Sequence, residues 1–290
     1  MEKINSKILK EIYKQKPKDA KKYDTGFMLV IGGSKFYSGA PALSALGAYK
    51  TGVDMVHIIA PERAANIIAS FQPDLATYDL SGERVEEKHL STLLSLTQGA
   101  DESAHTKSAV VVGGGMGRSE KTKKVIGEYL TQVTMPTVID ADAIYSLRGK
   151  VKEKIQDKNF IITPHSYEFY ILTGRKINQK DQKEKIEIVK EEAKKLDLTI
   201  LLKGGTDIIS DGEKVALNEA GSPYMTVGGT GDILAGIAGS LLARGVEPFK
   251  AACGAALING TAGKKVGEKL GESLMASDIL DEIPNILSNN

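Results

Sequence analysis

Short apolar runs, each closed by glycine, proline or small polar residues, recur along the chain. Residues Phe27–Ile31 (FMLVI) lie between Gly26 and Gly32-Gly33. An unbroken apolar run of that length predicts a strand buried on both faces, as in a parallel sheet. The same pattern predicts strands over 55–60, 109–112, 137–140, Phe160–Ile162 and Thr199–Leu202. Asp207–Ser210 and Val215–Asn218, joined through Asp211-Gly212, predict a hairpin. Between the strands the spacing becomes helical. Small and apolar residues over 39–49 fit a helix, and Pro61 opens another at a first-turn position. Ile186, Val189, Ala193 and Leu196 share one face of a helix over 181–198. Residues 6–15 predict a helix, and from Gly231 the chain reads as helical almost to its end. Strands and helices alternating in this way predict an α/β fold with a mainly parallel central sheet flanked by helices. Without a Pro/Ser-rich linker, a low-complexity stretch or an internal repeat, one domain over 1–290 is expected, with 1–25 as a helical extension.

The unusual polar residues fall just after the carboxyl ends of these strands. Gly32-Gly33-Ser34 follows the first, Gly113-Gly114-Gly115-Met116-Gly117 the third and Asp140-Ala141-Asp142 the fourth. Thr163-Pro164-His165 follows the fifth, and Lys203-Gly204-Gly205-Thr206-Asp207 the sixth. In open α/β sheets the ligand crevice lies outside that edge. Five such turns on one edge point to a long, phosphate-bearing ligand.

The richest stretch is Val227-Gly228-Gly229-Thr230-Gly231-Asp232, running into a helix of small residues. A glycine turn at a helix N-terminus presents backbone N–H groups and a partial positive charge, which suits an anion. A carboxylate there, Asp232, acts either as a base toward a hydroxyl or as the helix N-cap. Lys203 to Asp207 offers close backbone approach and a positive charge, without the Walker A spacing. Nor does a dinucleotide fingerprint with its downstream acid occur. Asp140 and Asp142 are either carboxylates for Mg²⁺ or a cap for a helix from Ala143. His165, three residues before Glu168, either contacts a ligand or caps a helix. His57, His89 and His105 have no partner at metal-ligand spacing.

Composition narrows the classes. Hydrophobic content of 41% and charged content of 26% are those of an ordinary globular protein. A net charge of +1 points away from nucleic acid and anionic membranes. The single cysteine, Cys253, lies in an apolar run and reads as core. The polar segment 1–7 has no signal-peptide apolar region, and no apolar run reaches the length of a bilayer span. A cytoplasmic protein is expected.

Taken in order, these segments resemble the ADP/ATP-dependent NAD(P)H-hydrate dehydratases, a family of ribokinase-like fold. The residues carrying the likeness are Gly32-Gly33-Ser34 with Tyr37-Ser38-Gly39-Ala40-Pro41, residues 112–117, Asp140-Ala141-Asp142-Ala143, Thr163-Pro164-His165, residues 203–207 and residues 228–232. The resemblance implies nucleotide-driven loss of water from the S epimer of hydrated NADH or NADPH. By the same likeness Asp232 is the base, and Ala40, Gly115, His165 and Asp232 contact the hydrate. Lys203, Gly204, Gly205, Thr206, Asp207 and Gly231 hold ADP or ATP. Gly229, Thr230 and Gly231 stabilise the transferred phosphoryl, with Mg²⁺ bridging phosphate oxygens. A homotetramer and a separate epimerase chain are implied as partners. A vitamin-precursor alcohol kinase of the same fold and a non-catalytic nucleotide-binding regulator are the alternatives. Two positions depart from the family pattern. Gly114 stands where relatives usually have proline, and Tyr167 where they usually have glycine before Glu168. The second change puts the contacts of Glu168 in question.

Overall fold

The computed structural model describes residues 2–104 and 107–288. In chain order its strands and helices are β1 (Glu2–Lys3), α1 (Lys7–Ile12), β2 (Phe27–Ile31), α2 (Gly39–Thr51), β3 (Met55–Pro61), α3 (Glu62–Ala69), β4 (Ala76–Leu80) and α4 (Leu90–Ser103). Then come β5 (Ser108–Val112), α5 (Glu120–Gln132), β6 (Thr137–Ile139), α6 (Lys150–Lys154), β7 (Phe160–Ile162), α7 (Ser166–Thr173), α8 (Gln182–Leu196) and β8 (Thr199–Leu202). The hairpin β9 (Asp207–Ser210) and β10 (Val215–Asn218) leads into α9 (Thr230–Ala243), α10 (Pro248–Leu270) and α11 (Ala276–Ser288).

All ten strands join one sheet in the order β1-β10-β9-β8-β7-β6-β5-β2-β3-β4. Strands β4 to β8 run parallel with β2 between β3 and β5, and the hairpin adds antiparallel pairs β8–β9 and β9–β10. Alternation along each strand divides the core into two layers. Met28, Val30, Val111 and Val138 face α2, α9, α10 and α11, whereas Leu29, Ile31, Val110 and Ile139 face α4, α5, α7 and α8.

Chain order moves outward from β2 through β3 to β4, then from β5 outward on the other side. The β2/β5 boundary is therefore the topological switch point, where α/β sheets hold ligands. Helix α9 packs into that region very closely. A Cβ on Gly236 would come 2.0 Å from the Ser44 carbonyl oxygen of α2, so no larger residue fits. Ser44 Oγ also donates to the Asp232 carbonyl at 2.9 Å, fixing the first turn of α9 over the sheet edge.

Some expectations needed correction. Helix α1 ends at Ile12 rather than Gln15, and Tyr13 turns its hydroxyl to the Thr51 carbonyl at 3.0 Å. The C-terminal segment, expected to be helical almost to its end, forms the three helices α9, α10 and α11. Gly245 (φ 80°) with Pro248, and Gly271 (φ 55°), make the breaks.

Candidate active site

Helix α9 begins at a residue that only glycine occupies easily. Gly229, its N-cap, has φ 104°. Thr230 Oγ1 ties the turn together by donating to the carbonyls of Met225 (3.0 Å) and Val227 (3.3 Å). The first intrahelical bond runs from Ile233 N to Gly229 O, which leaves the amides of Thr230, Gly231 and Asp232 without intrahelical acceptors. Asp232 sits in this first turn and is not the N-cap.

Those amides face a cleft of ≈ 720 Å³. Asp140, His165, Glu168, Lys203, Gly204, Gly205 and Asp207 line one side of it, and Gly229, Thr230, Gly231 and Asp232 another. Segment 221–227, with Pro223, Met225 and Val227, makes a third wall with Asn259 of α10. Thr206 lies outside the lining. Ala40 and Gly115 also lie outside it, on a shelf across Asp232. A Cβ on Gly114 would sit 2.8 Å from Asp232 Oδ1 and 3.1 Å from Ala40 Cβ. One on Gly115 would be 3.4 Å from Ala40 Cβ. Asp232 thus stands between the cleft and the glycine shelf at the switch point.

Charge is concentrated around Lys203. Its Nζ reaches Asp140 Oδ1 at 2.8 Å and Glu168 Oε2 at 4.0 Å, and a Cβ on Gly231 would be 3.3 Å from it. Burial disfavours the ammonium, but Asp140 and Glu168 outweigh it and hold the pKa above the ordinary lysine range. Burial, more than any other cause, pushes Asp232 up to about 7; the Asp140 charge adds to the rise and Lys203 opposes it. Burial also raises Glu168, against the pull of Lys203. Asp207 closes the glycine loop by accepting from Gly204 N at 3.0 Å, and Asn218 Nδ2 holds its other oxygen at 2.9 Å.

His165 does cap α7. Its Nδ1 accepts from the amides of Tyr167 (3.1 Å) and Glu168 (3.3 Å), and Glu168 Oε2 accepts in return from His165 N at 2.9 Å. An accepting Nδ1 places the proton of the neutral ring on Nε2, 3.4 Å from Glu168 Oε1. The ring is also half-exposed at the cleft, so capping and ligand contact are compatible. Tyr167 occupies an ordinary first-turn position of α7, so this position needs no glycine and the Glu168 contacts form.

Asp140 and Asp142 are separated by their partners. Asp140 Oδ1 takes both Lys203 and the Thr163 hydroxyl (2.7 Å). Asp142 uses one oxygen for Gly117 N (2.8 Å) and the other for Arg118 Nε (2.6 Å). Neither side chain makes a capping hydrogen bond to the short turn 141–146. Among the described residues no three acids, histidines or cysteines form a metal cluster. His105 lies outside the described residues. His89 caps a turn through Nδ1, and His57 packs between Phe27 and Tyr78. Cys253 is buried. No helix among the described residues is long and apolar enough to cross a membrane.

Three contributors carried no individual sequence signal: Asn218, Asn259 and Arg118. Segment 221–227 had one indirect sign, the glycines at 260, 263 and 267 on one face of α10. A Cβ on Gly263 would lie 2.3 Å from Met225 Sδ, so that face is bare where the wall rests on it.

The mainly parallel sheet with its switch point at β2/β5 and its flanking helices is the ribokinase-like fold. A solved ADP/ATP-dependent NAD(P)H-hydrate dehydratase from Bacillus subtilis, co-crystallized with ATP/Mg²⁺, superposes with a TM-score of 0.79 at 22% identity, over 98% of this chain and 97% of that one. The NAD(P)H-hydrate dehydratase family model matches residues 28–285, and the chain belongs to that family. An ADP-dependent (S)-NAD(P)H-hydrate dehydratase of Nitrosopumilus maritimus is 33% identical over 98% of this chain and 96% of its own length. A bifunctional NAD(P)H-hydrate repair enzyme of Pyrobaculum aerophilum is 40% identical over 93% of this chain. The chain spans about half the length of such bifunctional relatives, 52% in that case.

Proposed function

We propose that this chain dehydrates the S epimer of NAD(P)H hydrate to NAD(P)H, converting ADP or ATP to AMP or ADP plus phosphate. The observation that carries the reading is Asp232: a carboxylate with no hydrogen bond among the described residues, pKa about 7, in a helix turn built to hold an anion. A site for binding alone gains nothing from a carboxylate there, whereas a site that deprotonates a hydroxyl beside a phosphoryl group needs one.

The nucleotide occupies the cleft, its terminal phosphate at the amides of Thr230, Gly231 and Asp232 with Lys203 beside them. Loop 203–207 approaches the remaining phosphates. The hydrate lies across Asp232 toward Ala40, Gly115 and His165. Asp232 takes the proton of the ring hydroxyl as its oxygen attacks the terminal phosphorus. The bond from phosphorus to the leaving nucleotide oxygen breaks. The first-turn amides hold the charge spreading over the phosphoryl oxygens. Loss of phosphate from the ring carbon, with a proton from its neighbour, restores the ring double bond. The leaving group becomes phosphate rather than hydroxide, which is why the nucleotide drives the reaction.

Mg²⁺ supplies charge neutralisation across the phosphate oxygens when bound. The residues suit an ion carried mainly by the nucleotide: among the described residues Asp140 keeps an oxygen free of hydrogen bonds, whereas both oxygens of Asp142 are engaged. The same reading includes a cytoplasmic location and a homotetramer.

Mixing the protein with NADH hydrate, Mg²⁺ and each nucleotide tests it. A nucleotide-dependent gain in the near-ultraviolet absorbance of reduced nicotinamide is expected. Nucleotide consumption without that gain would instead favour a kinase releasing its phosphorylated alcohol.

A further inference from the structure

Arg118 ends the glycine loop after β5, four residues beyond Gly114, whose Cα borders the Asp232 carboxylate. It is fixed by two different contacts. Its Nε donates to Asp142 Oδ1 at 2.6 Å, and its guanidinium lies 4.1 Å from the centre of the Tyr145 ring. Asp142 holds the loop backbone as well, through Gly117 N. Both terminal nitrogens of Arg118 make no hydrogen bond among the described residues, and half of the side chain is exposed. This leaves a planar cation already oriented, with its fork unused. Such a fork matches phosphate oxygens bidentately.

Its place along the sheet edge indicates which phosphate it meets. The adenine-nucleotide cleft lies beyond β6 toward β8, with Lys203 as its cation. Arg118 ends the loop after β5 and is not part of the cleft lining; its side chain rests against Asp142 and Tyr145, which follow β6. From Gly114 to Arg118 is at most roughly 14 Å of extended chain, and the positive φ of Gly115 (68°) and Gly117 (79°) folds it shorter. A hydrated dinucleotide with its ring hydroxyl at Asp232 carries its pyrophosphate one ribose away.

Resting on the dehydratase reading, we propose that Arg118 binds a phosphate of the dinucleotide substrate and anchors its distal half beside the glycine loop that follows β5. The contact is uniform in ground and transition states, so it acts on KM and not on kcat. The group is either the pyrophosphate, common to both hydrates, or the ribose 2′-phosphate of NADPH hydrate.

The test compares the parent protein with Arg118→Ala and Arg118→Lys. KM is measured for NADH hydrate, NADPH hydrate and ADP, and Kd for NADPH alone. In Arg118→Ala, KM for the hydrate is expected to rise roughly tenfold, with kcat and KM for ADP within about twofold. Arg118→Lys keeps the charge without the fork and should recover part of the loss. An equal rise for both hydrates assigns the pyrophosphate; a rise confined to NADPH hydrate assigns the 2′-phosphate. Unchanged KM for both hydrates together with an unchanged NADPH Kd overturns the proposal. If the parent protein gives no turnover, the dehydratase reading fails separately. The NADPH Kd then decides alone: weakened in Arg118→Ala, the phosphate anchor stands; unchanged, it falls.

Discussion

Asp232→Asn is expected to stabilise the folded protein near neutral pH while abolishing turnover. Burial raises the Asp232 pKa from 3.8 to about 7 in the native state. Below the unfolded value the group is protonated in both states and contributes nothing. As pH rises past that value the unfolded chain ionises first, so the folded state loses relative stability until about pH 7. Above that the penalty is constant. A shift of this size corresponds to roughly 4 kcal/mol, a ceiling that local water and small side-chain movements reduce to about 1–3 kcal/mol. Asparagine has nearly the same shape and never ionises. Urea unfolding of nucleotide-free protein, followed at about pH 3 and about pH 8, measures the difference between variant and parent. It should be close to zero at the lower pH and favour the variant by at least about 1 kcal/mol at the higher. A variant equal to or less stable than the parent at the higher pH would refute an elevated Asp232 pKa, and with it a base held ready by burial.

Turnover should also follow that proton: kcat/KM at fixed nucleotide is expected to rise with pH through about 7 and then level, and a flat profile across that range would remove Asp232 from the base role. Lys203→Ala should weaken ADP binding roughly tenfold or more and leave KM for the hydrate within a few-fold; an unchanged ADP Kd by calorimetry would move the nucleotide elsewhere. His165→Ala should raise KM for the hydrate more than for the nucleotide, and the reverse pattern would exchange the two subsites. Gly263→Ala, by pushing Met225 out of its seat, should raise KM for ADP several-fold, with Met225→Ala in the same chain restoring it; no rise would detach segment 221–227 from nucleotide binding.

Strand positions were largely legible because parallel strands buried on both faces are unbroken apolar runs. Phe27–Ile31, Phe160–Ile162, Thr199–Leu202 and both hairpin strands have the expected limits. β4 was not, because Ala76–Leu80 is an edge strand with mostly exposed side chains, Leu80 being its buried residue. β1 pairs only Glu2 and Lys3 with β10, too short for any periodic pattern. The breaks between the three C-terminal helices were not placed because the apolar spacing barely pauses; Gly245, Pro248 and Gly271 were the available signs. For the site, the glycine turns do lie at strand ends along one sheet edge, because residue type alone reveals backbone that turns tightly. Partners were not legible. Whether Asp140 faces Lys203 or an ion, and whether Asp142 holds Arg118, depends on how separate strands align. Sequence spacing carries none of that.

The most direct measurement is a stoichiometric one. An epimer mixture of NADH hydrate is incubated with the protein, Mg²⁺ and excess ADP, with reduced nicotinamide followed by absorbance and AMP by chromatography. The expected result is one AMP formed per NADH regained, a stop when the S epimer is consumed, and no product with Asp232→Asn. AMP formation without NADH, or NADH regained at the parent rate by Asp232→Asn, would contradict phosphoryl transfer to the ring hydroxyl with Asp232 as its base.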